Sequence, residues 1–155
     1  MQTPEPSAEP TYDAPAAAPR PLVPFAGAGE RMAWVAGLAL ALSAFTGWYT
    51  GTGEGVDVSI LAWNTGVLGK LVLFLGLGVV ALVALRRFGV ALPAAVPESL
   101  LVILLGSAAF VCTLVRAISI PDEFFFAGRG IGLWISLAAA LAVIVAGLLE
   151  ISEEL

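Results

Sequence analysis

Residues 130–149, GIGLWISLAAALAVIVAGLL, run between Arg129 and Glu150 without one charged side chain. At ~1.5 Å per residue these 20 residues span the ~30 Å hydrocarbon layer of a bilayer as one helix. A soluble helix of this length would carry a polar face, and this one has none. The whole chain shares that character. Hydrophobic residues make up 59% and charged residues 12% of the 155, and there are 17 glycines besides. Soluble domains sit near ~45–50% apolar with glycine included, and carry about twice this charge. Too few polar groups remain to cover a water-exposed surface, so the apolar excess faces lipid.

Cutting the rest of the chain at its charges gives three more spans. Residues 32–53 are free of charge, which predicts a first crossing helix over about 32–50. Only 15 uncharged residues separate Lys70 from Arg86, so the second span, 66–86, requires Lys70 to snorkel toward the interface. The third, 98–117, becomes long enough if Arg116 does the same. The fourth is 130–149. The fold class expected is therefore an all-α integral membrane protein. It is a four-transmembrane-helix bundle over 31–150, preceded by a tail at 1–30 and followed by an acidic C-terminal end at 151–155.

The tail holds seven of the ten prolines, at positions 4, 6, 10, 15, 19, 21 and 24. So Pro/Ala-rich a stretch cannot bury enough apolar surface to offset its ordering entropy, which predicts a disordered spacer on the cytoplasmic side. It also lacks the cationic start and short apolar core of a secretory signal. Further on, Arg86-Arg87-Phe88-Gly89 has the form of a helix end, with cations at the negative pole and a glycine suited to the left-handed cap. Pro97-Glu98 has the form of a helix start. Ser119, Asp122 and Glu123 predict a short interfacial helix carrying Phe124, Phe125 and Phe126.

An even number of spans puts both termini on one side. That side receives Arg20, Arg31, Arg86 and Arg87, against Lys70, Arg116 and Arg129 on the other. The positive-inside rule makes the first side cytoplasmic, hence a multi-pass protein of the cell (inner) membrane. Trp48, Trp63, Trp134 and the Phe124–Phe126 cluster are expected as an outer aromatic belt, with Trp34 at the inner edge.

Several chemistries are excluded outright. There is no histidine, hence no imidazole ligand, base or pH sensor. The single cysteine, Cys112, has no partner for a disulfide and sits in an apolar run, where a small buried thiol is expected. Scattered cations and a net charge of −5 argue against nucleic acid. No acid or base lies at the middle of any span, which disfavours coupled transport and intramembrane catalysis. The polar groups within the spans are Ser43, Thr46, Ser107, Cys112, Thr113 and Ser136. Catalytic, cofactor-binding and metal-binding residues are accordingly expected to be none.

Three further patterns remain. Between the first two spans, residues 58–69 are too short to cross; the Val56, Val58, Ile60 alternation suits an interfacial cover, and a re-entrant loop is the alternative. On the outer face, Glu54, Asp57, Asp122 and Glu123 are available to pair with Lys70, Arg116 and Arg129, locking the two outer loops together. Small residues recur every four positions at Gly128, Gly132, Ser136 and Ala140 and at Ala33, Gly37 and Ala41. Such stripes let helix backbones approach closely in lipid.

The segments Gly47-Trp-Tyr-Thr-Gly51, 62–70 (AWNTGVLGK) and 121–134 (PDEFFFAGRGIGLW) resemble those of small uncharacterised four-helix integral membrane proteins of high-GC Gram-positive bacteria. The resemblance covers 31–150. It implies an inner-membrane protein and carries no catalytic residues. The expected role is a non-enzymatic structural or accessory component that meets a partner through its outer loops or tail. The alternative is a channel or transporter subunit whose path forms on oligomerisation. The expected partners are the lipid bilayer, another membrane protein or a further copy of the chain. No cofactor is expected.

Overall fold

The computed structural model describes residues 27–53, 55–90, 97–120, 122 and 127–154. It is a four-helix bundle with a small sheet at one end. The elements run α1 (Ala28–Ser43), β1 (Gly47–Gly53), β2 (Val56–Leu61), a 3-10 turn (Ala62–Asn64), α2 (Val67–Arg87), α3 (Glu98–Ile118), β3 (Gly128–Arg129) and α4 (Ile131–Glu154). Each helix packs on its neighbour in the chain, and α4 returns to α1, closing a ring of four. Three of them, α2, α3 and α4, are long and apolar enough to cross a membrane.

The first expected span is corrected. Residues 32–50 are not one helix, because α1 stops at Ser43 and a strand begins at Gly47. Its last turn tightens into i→i−3 bonds, from Ala44 to Ala41, Phe45 to Leu42 and Thr46 to Ser43. The Ser43 hydroxyl donates to the Leu40 carbonyl and the Thr46 hydroxyl to the Ser43 carbonyl, each at 2.6 Å. Such side-chain donors compete with the helical ladder. The β-favouring Trp48-Tyr49-Thr50 run then continues the chain as a strand. The fold class is thus mostly helical, with a three-stranded antiparallel sheet of order β2-β1-β3 that an all-α reading left out.

Residues 58–69 form the end of β2, the 3-10 turn and the start of α2. Strand β2 pairs with β1 from Gly53↔Val56 to Gly47↔Leu61, with a bulge at Trp48. Consecutive strand side chains normally point to opposite faces; with the bulge, Trp48 and Tyr49 are both fully buried. The Trp63 amide then donates to the Ala44 carbonyl at 3.1 Å, tying the hairpin to the end of α1. The alternation in β2 makes no buried face: Val56 and Val58 are exposed.

The remaining helices start and stop near their expected limits. α2 ends in a complete Schellman cap, with Gly89 at φ 72°, Val90 N bonded to Leu85 O and Gly89 N to Arg86 O. α3 begins one residue after Pro97 and ends before an extended Ser119. Residues 151–154, expected as a separate acidic end, continue α4. The tail to residue 26, Glu54 and the 124–126 phenylalanines lie outside the described residues, and with them the disordered tail and most of the short interfacial helix.

Glycine and alanine set the helix spacing. A Cβ on Gly76 of α2 would stand 2.6 Å from Ala41 N and 3.0 Å from Gly37 O of α1. One on Gly147 of α4 would meet Ser99 O of α3 at 3.0 Å. Ala33, Gly37 and Ala41 of the first small-residue stripe and Gly132, Ser136 and Ala140 of the second are buried within the bundle. Gly128 leaves the second stripe, since it lies in β3 and not in α4.

Candidate functional site

Polar chemistry is confined to the two ends of the bundle and one buried contact between them. At the first end, α1 and α3 begin where α2 and α4 finish. Arg86, in the last turn of α2, is paired with Glu98 in the first turn of α3 and, at 3.3 Å, with Glu150 of α4. Arg87 is paired with Glu30 at 2.6 Å and lies over the Trp34 ring. The first turn of α1 has no side-chain cap of its own, since Gly27 occupies that position. Glu153 of α4 supplies one, accepting from Gly27 N at 3.2 Å and Gly29 N at 3.4 Å. Each carboxylate therefore meets a helix N-terminus or a cation, and the arginines sit at the negative pole of α2. Glu150 and Glu153, unfavourable at the end of their own helix, are offset by these neighbours.

This clasp was not anticipated from the sequence. Of the four acids expected to pair with Lys70, Arg116 and Arg129, only Asp57 and Asp122 are among the described residues. Among the described residues Lys70, Arg116 and Arg129, at the sheet end, make no ion pairs. Arg116 donates through Nη2 to the Thr65 carbonyl just ahead of α2, and Arg129 donates to the Ala117 carbonyl. Lys70 stands over the Trp63 ring, 5.3 Å from its centre. Asp57 accepts from the Thr52 hydroxyl at 3.4 Å across the hairpin, and Asp122 is exposed. Glu54 and Glu123 lie outside the described residues. Strand β2, which bears Asp57, and β3, which follows Asp122, flank β1 on opposite sides. At ~4.8 Å per strand the two strands lie about 10 Å apart.

The aromatic belt also needs correction. Trp48 is fully buried and donates from Nε1 to the Ser43 carbonyl at 3.2 Å. Trp63 and Trp134 remain outward-facing, at 38% and 54% exposure. Tyr49 is buried beside Trp48 and donates its hydroxyl to the Arg116 carbonyl at 2.9 Å. Burial raises its pKa above the usual tyrosine value, against the opposing pull of Arg116 and then Arg129.

Within the bundle, the Ser136 hydroxyl of α4 donates to that of Ser43 at 2.7 Å and also contacts the Gly132 carbonyl. Thr113 back-bonds to Ala109, and Cys112 is a buried free thiol. The Thr113 and Ser136 hydroxyls are thus satisfied locally. On the sheet, Thr50, Gly51, Thr52, Asp57, Val58 and Ser59 surround an open hollow of about 400 Å³. It has one carboxylate and three hydroxyls, enough for water but without a nucleophile-base pair. Among the described residues no three His, Cys, Asp or Glu side chains converge as metal ligands.

No family model matches the chain, and neither the curated proteins nor the solved structures yield a match.

Proposed function

We propose that this chain is a multi-pass protein of the cell membrane in which all four helices cross the bilayer and both termini are cytoplasmic. In this reading it acts as a non-enzymatic structural or accessory component, meeting a partner through its sheet-bearing outer end or its N-terminal tail. The observation that carries the proposal is the segregation of charge. Every described ion pair lies at the Arg86 end, where Arg31 also stands, while Lys70, Arg116 and Arg129 rest on carbonyls or a ring at the sheet end, and the buried polar groups between the two ends are uncharged. A bilayer imposes that arrangement, because ionisable groups at its centre are costly.

The sheet sets the depth of the bundle. Its free edges expose backbone donors and acceptors, which hydrocarbon does not satisfy, so the sheet belongs among headgroups and water. The 16 residues of α1 cover only ~24 Å, and the bilayer thins or the tight last turn fills the remainder. Gly27 N bonds Glu153, so the starting end of α1 and the finishing end of α4 share one face of the bundle.

Thiol labelling tests the topology, since the native Cys112 is buried. A membrane-impermeant maleimide should label Val56→Cys in intact spheroplasts and Phe88→Cys only after permeabilisation. The reverse pattern overturns the orientation, and labelling of both from outside overturns the even span count. A photocrosslinker at position 56 should give a discrete adduct in native membranes. Its absence from there and from the tail removes the accessory role.

A further inference from the structure

The outward side of the α1–α4 seam holds a groove of about 630 Å³ whose lining is apolar except for Arg31 at one end. Ala36 and Ala139 form its buried floor, while Val35 and Ile135 stand as banks, 70% and 42% exposed. From Arg31 to Ala39 along α1 is about 12 Å, close to the ~15 Å depth of one leaflet's hydrocarbon. The volume falls within the ~300–1,000 Å³ of ordinary ligand sites. The groove is therefore apolar along its depth and cationic at the level where headgroups lie.

Arg31 is the cation that the clasp does not use. Glu30 beside it is taken by Arg87, and Glu153 by the amides of Gly27 and Gly29. Arg31 is exposed and makes no ion pair among the described residues. A charge at the edge of hydrocarbon in this situation favours an anionic partner. Charge also decides against a second copy of the chain. Two copies in one membrane, related by a two-fold axis along its normal, would bring both Arg31 side chains to the same height across the seam, where like charges repel.

We infer that this groove binds an anionic phospholipid of the adjoining leaflet, with one acyl chain laid over Ala36, Ala39 and Ala139 and the phosphate held by Arg31. The inference rests on the membrane reading above, and a separate measurement distinguishes failure of the two. If alkaline carbonate releases the chain from membranes without detergent, the membrane reading itself falls.

For the site, the full chain in detergent is titrated with phosphatidylglycerol or phosphatidylcholine of identical acyl chains, and retained lipid is read by native mass spectrometry. One interfacial cation supports about a fivefold preference for the anionic lipid. Arg31→Gln should remove the preference and Arg31→Lys keep most of it. Ala138→Phe, at an exposed position on the groove, should lower retention of both lipids while leaving the bundle folded. Equal retention of the two lipids, or a preference that survives Arg31→Gln, overturns the proposal. So does a Val35→Cys variant that crosslinks to a second copy at the same yield with and without phosphatidylglycerol.

Discussion

Arg86 Nη2 lies 3.3 Å from Glu150 Oε2, and the carboxylate it meets is only 3% exposed. The same guanidinium is bonded to Glu98, so one side chain from the end of α2 joins the start of α3 to the end of α4. The two carboxylates are not equivalent in what they lose. Removing Arg86 takes this cation from both Glu98 and the buried Glu150. Removing the charge of Glu150 leaves Arg86 still paired with Glu98.

Arg86→Gln should therefore destabilise the bundle more than Glu150→Gln. Breaking a fully buried pair costs ~3–5 kcal/mol. Because the Arg86 side chain is 29% exposed, the expected loss is smaller, on the order of 2 kcal/mol. Glu150→Gln should cost about half of that. Thermal unfolding in a mild detergent checks the order. Equal losses, or a larger one for Glu150→Gln, would contradict the bridging role assigned to Arg86.

The glycines give a prediction in which the sign differs from site to site. A Cβ on Gly132 runs into Thr46 Oγ1 and comes within 2.8 Å of Gly47 O, and one on Gly76 comes within 2.6 Å of Ala41 N. Backbone atoms cannot give way as a flexible side chain does, so Gly132→Ala and Gly76→Ala should each cost about 1–3 kcal/mol. Gly78 lies on the same helix as Gly76, but its Cβ would meet only Leu105 methyls at 3.6 and 3.8 Å, an ordinary contact. Gly78→Ala should be neutral or stabilise by up to ~1 kcal/mol through helix propensity. Unfolding midpoints of the three variants decide it, and a destabilising Gly78→Ala would show that glycine content alone, not close approach, governs these positions.

The helices were legible in the sequence because charge-free length is a local property. Arg86, Glu98, Arg129 and Glu150 bracket α2, α3 and α4 to within a few residues. α1 was not, because 32–53 reads as charge-free whether residues 47–53 continue the helix or turn into a strand. The deciding interactions are Ser43 and Thr46 turning their hydroxyls onto carbonyls, and β1 finding two partners, one of them 80 residues away at Arg129. The clasp was missed for a similar reason. Glu150 is read in the sequence only as the charge that closes the fourth span, whereas its partner, Arg86, reaches it only once α4 has closed the ring. Trp48 was placed in the belt by composition, and only the bulge shows it turned inward.

Tyr49 yields a prediction about pH. Its hydroxyl is buried and donates to the Arg116 carbonyl at 2.9 Å, and burial raises its pKa although Arg116 and Arg129 partly oppose the shift. Tyrosinate can neither donate that bond nor be buried cheaply, so the folded state holds the proton more tightly than the unfolded chain. The stabilisation is fully present below the unfolded tyrosine pKa of ~10 and is lost as pH rises through the higher folded value. In a Tyr12→Phe background Tyr49 is the only tyrosine, and its ionisation can be followed by ultraviolet absorbance. The folded protein in detergent should titrate above pH ~10, and denaturant should bring the midpoint back to ~10. Tyr49→Phe should cost about 1 kcal/mol at neutral pH, the value of one hydrogen bond, and should abolish the alkaline loss of stability attributed to this residue. A folded midpoint at or below the denatured one would mean that the two arginines outweigh burial, and the sign of the pH dependence would reverse.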